Sequence, residues 1–141
     1  MEFLRTNLDL GVMGLLGFMS FVMMTFVIER YLYFARVDLR AFDDPDDLDL
    51  MLTRHLTVIA TIGANAPYVG LLGTVLGILL AFHDIGQAGV IETGTMMIGL
   101  ALALKATALG LVVAIPSLVF YNALLRRTDV LKARWRKERR A

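Results

Sequence analysis

The sequence has no cysteine among its 141 residues. Disulfide frameworks, thiolate metal sites and cysteine nucleophiles are therefore excluded. Charge is also scarce, because Asp, Glu, Lys and Arg make up 19% of the chain while hydrophobic residues make up 57%. An ordinary soluble domain carries about 25% charged residues. This composition therefore indicates a chain whose apolar residues face something other than water.

Three long segments contain almost no charge. Residues 10–28 and 56–82 contain none, and the apolar stretch between Glu92 and Arg126 contains only Lys105. Crossing the hydrocarbon takes roughly 20 apolar residues as a helix, and lipid offers no partner to an unpaired backbone amide. The sequence therefore predicts an all-α membrane protein with three transmembrane helices, at about residues 8–34, 56–82 and 94–122, in one domain covering residues 1–141.

Basic residues are missing from the connection between spans two and three, residues 83–92, and only Arg5 precedes span one. The other two flanks are rich in them: eight lie in the tail, residues 123–141, and four lie around the linker, residues 35–55, namely Arg30, Arg36, Arg40 and Arg54. Short basic flanks stay in the cytoplasm. We expect a periplasmic N-terminus and a cytoplasmic C-terminus. Residues 1–9 lack a basic n-region, so we expect span one to be retained rather than cleaved.

The flanks themselves predict little structure. The linker contains Asp-Asp-Pro-Asp-Asp, a composition typical of turns and solvated charge, and Pro45 discourages helix through Asp44. Span one is predicted to be a plain lipid-facing helix. The basic tail is expected to extend span three as a cytoplasmic helix. Attraction to anionic membrane lipid explains its charge, so we expect no nucleic-acid partner.

Small residues recur at helical spacing in spans two and three. Gly70, Gly73 and Gly77 form one stripe on span two. Span three has a similar stripe of small residues, formed by Gly99, Ala103, Ala106, Gly110 and Ala114. Such stripes let helix backbones approach closely, which predicts tight packing within the chain or between copies. Pro67 removes a backbone donor and is expected to kink or loosen span two around residues 63–67.

Few residues are able to carry chemistry. His55 and His83 bracket span two, roughly 40 Å apart along a helix, which excludes a shared metal or dyad within one chain. We therefore expect no metal, no cofactor and no enzyme activity. Most hydroxyls in the spans are expected to bond to their own helix carbonyl at i−4. Thr74 and Thr107 are the exceptions, because an antiparallel hairpin places both near mid-membrane within one turn of each other. Two hydroxyls there can both donate and accept along a water or proton path.

At this point two segments resemble a known family. Residues 60–78, ATIGANAPYVGLLGTVLGI, and residues 106–117, ATALGLVVAIPS, followed by Tyr121 and Asn122, closely resemble the ExbB/TolQ/MotA family. The likeness covers about residues 56–125. The order of Ala-Pro, Gly-x-x-Gly-Thr-x-x-Gly and then Ala-Thr-Ala-x-Gly-Leu with Ala-Ile-Pro is specific, since chance apolar composition does not produce it.

The resemblance implies a motor driven by the proton-motive force in a bacterial inner membrane. A homo-oligomeric ring, a pentamer, would enclose transmembrane helices of an ExbD-type partner and drive a TonB-type energy transducer for active import across the outer membrane. The partner would supply the proton-carrying aspartate. The family's pore threonines fall on Thr74 and Thr107, and its prolines fall on Pro67 and Pro116.

The chain departs from the family pattern in one motif and in length. Where ExbB and TolQ commonly carry a glutamate in Ala-Glu-Ala-Leu-x-Ala-Thr-Ala, residues 101–108 read ALALKATA, so Leu102 replaces the acid and Lys105 appears three residues later. This motif and the short linker favour an ExbB-type subunit over TolQ, and the lack of a large cytoplasmic domain disfavours MotA. A scaffold subunit that only positions a partner and never conducts remains an alternative of a different class.

Lys105 is the only ionisable residue that the sequence places deep inside a span rather than at its ends. A charge there costs several kcal/mol, and about 16 Å of helix separates it from the outer boundary, too far for easy snorkelling. The nearest acids of the chain are expected at span ends: Asp9, Glu29, Asp84 and Glu92. We therefore predict an ion pair between Lys105 and the partner's carboxylate. The alternative is a deprotonated lysine in a protein-lined water pocket. Lys105 also points about 160° away from Thr107 around a straight helix.

Overall fold

The computed structural model describes residues 2–90 and 92–140, so residues 1, 91 and 141 lie outside the described part. Residue 91 belongs to the connection between spans two and three, on the side that the sequence predicts to be the outer one. Four α-helices follow one another: α1 (Glu2–Arg36), α2 (Pro45–Leu52), α3 (Leu56–Ala88) and α4 (Thr93–Arg140), with a 3-10 turn at Leu39–Ala41. The described residues form no strand. Three of the helices, α1, α3 and α4, are long and apolar enough to cross a membrane. The all-helical fold and its three candidate spans are thereby confirmed.

Helices α3 and α4 form an antiparallel hairpin. Contacts pair Gly63 with Leu118, Gly70 with Gly110 and, at the outer end, Gly77 with Ala103, so numbers rise along one helix as they fall along the other. Helix α3 ends where Gly89 takes a left-handed φ of 69° and donates its N–H to the carbonyl of Ile85. A residue with a Cβ is disfavoured in that conformation.

Helix α1 packs along this hairpin, and the prediction of a plain lipid-facing span is therefore wrong for one of its faces. That face is buried: Val12, Leu16, Met23, Val27 and Phe34. The opposite face, with Phe18 and Phe21, is largely exposed. Spacings of four and seven residues keep these buried side chains on one stripe. The span is apolar on all sides, so its composition does not reveal the stripe.

The two ends of α1 fix its direction. Near its start, Arg5 forms a salt bridge of 2.9 Å with Asp84 at the outer end of α3. Near its end, Arg30 donates through Nη1 to the carbonyl of Met51, at 2.6 Å, just before α3 begins. Helix α1 is therefore antiparallel to α3 and parallel to α4.

The linker is more ordered than its composition predicts. Asp44 caps α2 by accepting a hydrogen bond of 2.9 Å from the N–H of Asp46, and Pro45 occupies the first turn, where its missing N–H costs nothing. Leu48 and Leu52 of this helix are buried in the core. The prediction of turn structure is therefore wrong for residues 45–52, because proline excludes helix before itself but favours one after it.

Helix α4 runs for 48 residues, about 72 Å, and so projects well beyond the roughly 30 Å of a hydrocarbon core. The linker lies against this projection. Trp135 donates through Nε1 to the carbonyl of Phe42 at 2.9 Å, and Lys132 forms a 2.8 Å salt bridge with Asp49. The tail thus continues span three as a helix, and the linker packs against part of its surface.

Candidate functional site

The closest approach of α3 and α4 is a contact between two glycines. A Cβ on Gly110 would lie 2.6 Å from the carbonyl oxygen of Ala66 and 3.0 Å from the Cα of Gly70. A Cβ on Gly70 would lie 2.6 Å from the carbonyl oxygen of Ala106. These neighbours are backbone atoms, which cannot rotate out of the way. The two helices therefore touch backbone to backbone, and only glycine fits at both positions.

Two more glycines extend this contact toward the outer side. Cβ atoms on Gly73 and Gly77 would lie 2.8 Å and 2.9 Å from the methyl groups of Ala106 and Ala103 respectively. The small-residue stripes predicted from the sequence thus meet each other within one chain. Helices α3 and α4 also continue without a break through Pro67 and Pro116.

The threonines Thr74 and Thr107 lie directly beside this crossing. Their hydroxyl oxygens face each other across the helix interface within hydrogen-bonding distance. Thr74 also donates across the interface to the carbonyl of Ala103 at 2.8 Å, and the Gly70 carbonyl lies 3.3 Å from the same oxygen. Thr74 is buried and Thr107 is half-buried.

A hydroxyl has one proton to donate and two lone pairs to accept. If Thr74 gives its proton to the Ala103 carbonyl, then Thr107 donates to Thr74 and keeps its own lone pairs free. The order is a short directional chain from Thr107 through Thr74 to the backbone. Hydroxyls can relay a proton along such a chain of hydrogen bonds, but near neutral pH they neither take up nor release a net proton. A titratable carrier must therefore come from water or from another group.

Three other hydroxyls in the spans behave as predicted for ordinary helix residues. Thr25, Thr61 and Ser117 donate to the carbonyls four residues earlier in their own helices, at 2.7–2.8 Å. For Thr107, the structure gives a hydrogen bond to Thr74 and none to its own helix. The pair is thus distinguished from the remaining hydroxyls by a cross-helix contact as well as by depth.

Lys105 lies on a different face of α4. Thr107 faces α3, whereas Lys105 lines a cavity of about 60 Å³ between α4 and α1. Four further residues share that cavity with Lys105 and Asp9: Val12, Met13, Leu102 and Ala106. The expectation that no acid of the chain lies near Lys105 is therefore wrong for Asp9.

Sequence reasoning missed two residues. Asp9 lines the cavity beside Lys105, and Arg30 connects α1 to the linker. Arg30 is 2% exposed, bonds to the carbonyls of Met51 and Leu52, and stacks 4.4 Å from the centre of the Tyr33 ring. A signal for both was present. Asp9, Val12 and Leu16 have the spacing of one helical stripe, and the same stripe continues to Arg30 at the other end.

Comparison with known proteins gives a consistent answer. Residues 45–137 match the MotA/TolQ/ExbB proton channel family. "Biopolymer transport protein ExbB" of Helicobacter pylori strain J99 is 54% identical over 136 residues, which are 96% of this chain and 94% of the relative. The protein of the same name from Aquifex aeolicus is 54% identical over 127 residues, 90% of this chain and 86% of the relative.

A third relative, "Putative biopolymer transport protein ExbB-like 2" of Helicobacter pylori, is 47% identical over 132 residues, 94% of this chain and 88% of its own length. These relatives share the short length of this chain, and the family match spans the linker helix, the hairpin and most of the tail. With three apolar helices, the chain is a multi-pass membrane protein, and it belongs to the MotA/TolQ/ExbB proton channel family.

Proposed function

We propose that this chain is the ExbB-type subunit of a motor in a bacterial inner membrane. With an ExbD-type partner it uses the proton-motive force to energise a TonB-type transducer for active import across the outer membrane. The single observation that carries the proposal is the cross-helix pair of Thr74 and Thr107 hydroxyls, about midway along α3, in a chain of a proton channel family.

The pair's chemistry supports a partner. Its hydroxyls offer a path but no titratable group, and the charged residues at that depth, Asp9 and Lys105, lie on the α1 side. A proton carrier on the channel side must then come from another chain. An aspartate on a transmembrane helix of an ExbD-type subunit meets that need, because a carboxyl group can take up and release a proton within the membrane.

Assembly and orientation complete the proposal. Large apolar side chains are exposed along all three spans, among them Phe18, Leu72 and Val112. Contact with lipid and with further copies would cover them, and we propose a homopentameric ring. We propose a cytoplasmic C-terminus and a periplasmic N-terminus, which the Lys and Arg residues of the linker and tail support.

The test removes the hydroxyls and keeps the side-chain shape. Thr74→Val and Thr107→Val together should leave the ring intact, since threonine and valine are nearly isosteric, and should abolish TonB-dependent ligand uptake by cells. Thr25→Val is the matched control, because that hydroxyl bonds to its own helix at Phe21 and faces outward. Ring assembly is checked by the elution volume of the purified oligomer.

Full uptake by the double variant would overturn the channel role of the pair. An intact ring that supports uptake without the hydroxyls would favour the alternative of a scaffold subunit. A TolQ-type role in envelope integrity predicts a different loss. Cells with the double variant would then become sensitive to detergent while TonB-dependent uptake continued.

For Lys105 we propose an ion pair with the partner's carboxylate in the assembled complex. The residue is exposed on the isolated chain, so a second chain can reach it. Lys105→Met should then co-purify less of the ExbD-type partner, while Lys105→Arg should retain part of the binding because it keeps the charge. Unchanged partner recovery with the methionine variant would refute this ion pair.

A further inference from the structure

The depth of Asp9 follows from its neighbour Val12. A Cβ on Gly73 would lie 3.1 Å from Cγ1 of Val12, so Val12 is level with the residue next to Thr74. Asp9 lies one turn, about 4.5 Å, further toward the outer side. Helix α1 continues outward to Glu2, and Arg5 lies between Asp9 and the outer end of α3. Asp9 therefore lies inside the outer half of the membrane rather than at its surface.

Lys105 lies at nearly the same level. Thr74 bonds to the carbonyl of Ala103, which places residues 103–107 of α4 beside the middle of α3. Side chains on a helix lean toward its N-terminus, and α4 begins on the outer side, so the ammonium group of Lys105 is carried outward toward the level of Asp9. Two opposite charges thus meet at one depth, on the two parallel helices.

The cavity between them suits an ion pair with water. Its volume of about 60 Å³ has room for about two water molecules, and Asp9 and Lys105 are the charged groups that line it. The other lining side chains are apolar. Within residues 2–90 and 92–140, four salt bridges are formed at 4.0 Å or less, and Asp9–Lys105 is not among them. A water molecule can bridge two such groups at little cost.

We infer that Asp9 is the counter-ion of Lys105, joined to it through water in the cavity between α1 and α4. Each chain thereby neutralises the charge of its own membrane lysine with Asp9, before any partner binds. A partner's carboxylate then reaches Lys105 by exchange with Asp9. The inference depends on the depth of α1 and α4 and does not depend on proton conduction.

A double-mutant cycle on the purified homo-oligomer, prepared without the partner, tests the inference. The readout is the midpoint temperature of thermal dissociation in detergent. Asp9→Asn strands the lysine charge and should lower the midpoint by about 4 °C or more. Lys105→Met should also lower it, because it leaves the Asp9 carboxylate without its counter-ion. The double variant should regain most of the loss, because it contains neither charge.

The control is Asp47→Asn, the same change at an exposed position on α2, which should leave the midpoint unchanged. If Asp9→Asn prevents assembly, the added Lys105→Met should restore it. A midpoint unchanged by Asp9→Asn would overturn the inference and favour a deprotonated lysine. A double variant as unstable as Asp9→Asn alone would overturn it too, since Asp9 would then act through packing. Neither outcome bears on ligand uptake, so the inference and the proposed function fail separately.

Discussion

Gly110→Ala is the smallest change that tests the backbone contact between α3 and α4. The added Cβ would lie 2.6 Å from the carbonyl oxygen of Ala66 and 3.0 Å from Cα of Gly70. Carbon and oxygen in such a contact settle at about 3.3–3.6 Å. Because the obstacles are backbone atoms, the helices must separate by about 0.7 Å or more at this level.

Two opposing effects set the magnitude. Alanine is favoured over glycine inside a helix by about 0.8–1.0 kcal/mol. Forcing an extra methyl group into a well-packed interface costs about 1–3 kcal/mol. The difference is a net loss of about 0–2 kcal/mol in the free energy of unfolding, and because the obstacles are rigid backbone atoms we expect the upper half of that range, about 1–2 kcal/mol. The same separation draws Thr107 away from Thr74, so proton coupling should fall further than stability alone would explain.

The assay compares Gly110→Ala with Gly86→Ala by SDS-induced unfolding of the purified protein and by TonB-dependent uptake in cells. Gly86 is exposed and helical, and nothing lies within 4 Å of an added Cβ, so its alanine variant should be as stable as the wild type or more so. Equal or greater stability for Gly110→Ala would refute the backbone contact that places the threonine pair.

Three further predictions concern the framework and the orientation. Arg30→Met leaves two carbonyls without their charged donor and should lower the free energy of unfolding in SDS by about 3 kcal/mol. Arg30→Lys should restore part of the loss, and an unchanged midpoint for Arg30→Met would contradict a stabilising role of these bonds. Trp135→Phe removes the donor to Phe42 and should cost about 1 kcal/mol and speed proteolysis of the linker, whereas unchanged cleavage would contradict the contact. In outer-membrane-permeabilised cells, a single cysteine at Gln87 should react with an impermeant maleimide, and a single cysteine at Asp46 should not. The reverse pattern would contradict the proposed topology.

The spans were predictable because their signal is local and strong. Apolar runs of about 20 residues or more favour a membrane-spanning helix, and the structure confirms three helices long and apolar enough to be spans. The meeting of Gly70 with Gly110 was also within reach, since a short outer connection makes α3 and α4 antiparallel neighbours and the stripes then set their register. The level of Thr74 and Thr107 follows from the same register.

The position of α1 could not be predicted in the same way. A long linker connects it to α3, so its vertical offset depends on contacts such as Arg5 with Asp84 and Val12 with Gly73. An offset of a few residues decides whether Asp9 lies in the headgroups or beside Lys105. The hydropathy of the sequence gives almost no information about that offset.

The helical structure of the linker was not predicted for a different reason. Helix α2 of the linker has only eight residues, and the acidic first turn of α2 has the composition of a solvated loop. What orders it is tertiary: buried Leu48 and Leu52 and the carbonyls that Arg30 bonds. An arginine next to a span is ordinarily assigned to the positive-inside pattern, which says nothing about burial.

The most direct measurement for the central claim is proton flux through the purified ring, reconstituted with its ExbD-type partner in liposomes that enclose a pH-sensitive dye. With a potassium diffusion potential imposed, wild-type rings and Thr25→Val rings should change the internal pH at equal rates. Rings with Thr74→Val and Thr107→Val should change it no faster than empty liposomes. Wild-type flux through the double variant would contradict the assignment of the proton path to the Thr74–Thr107 pair.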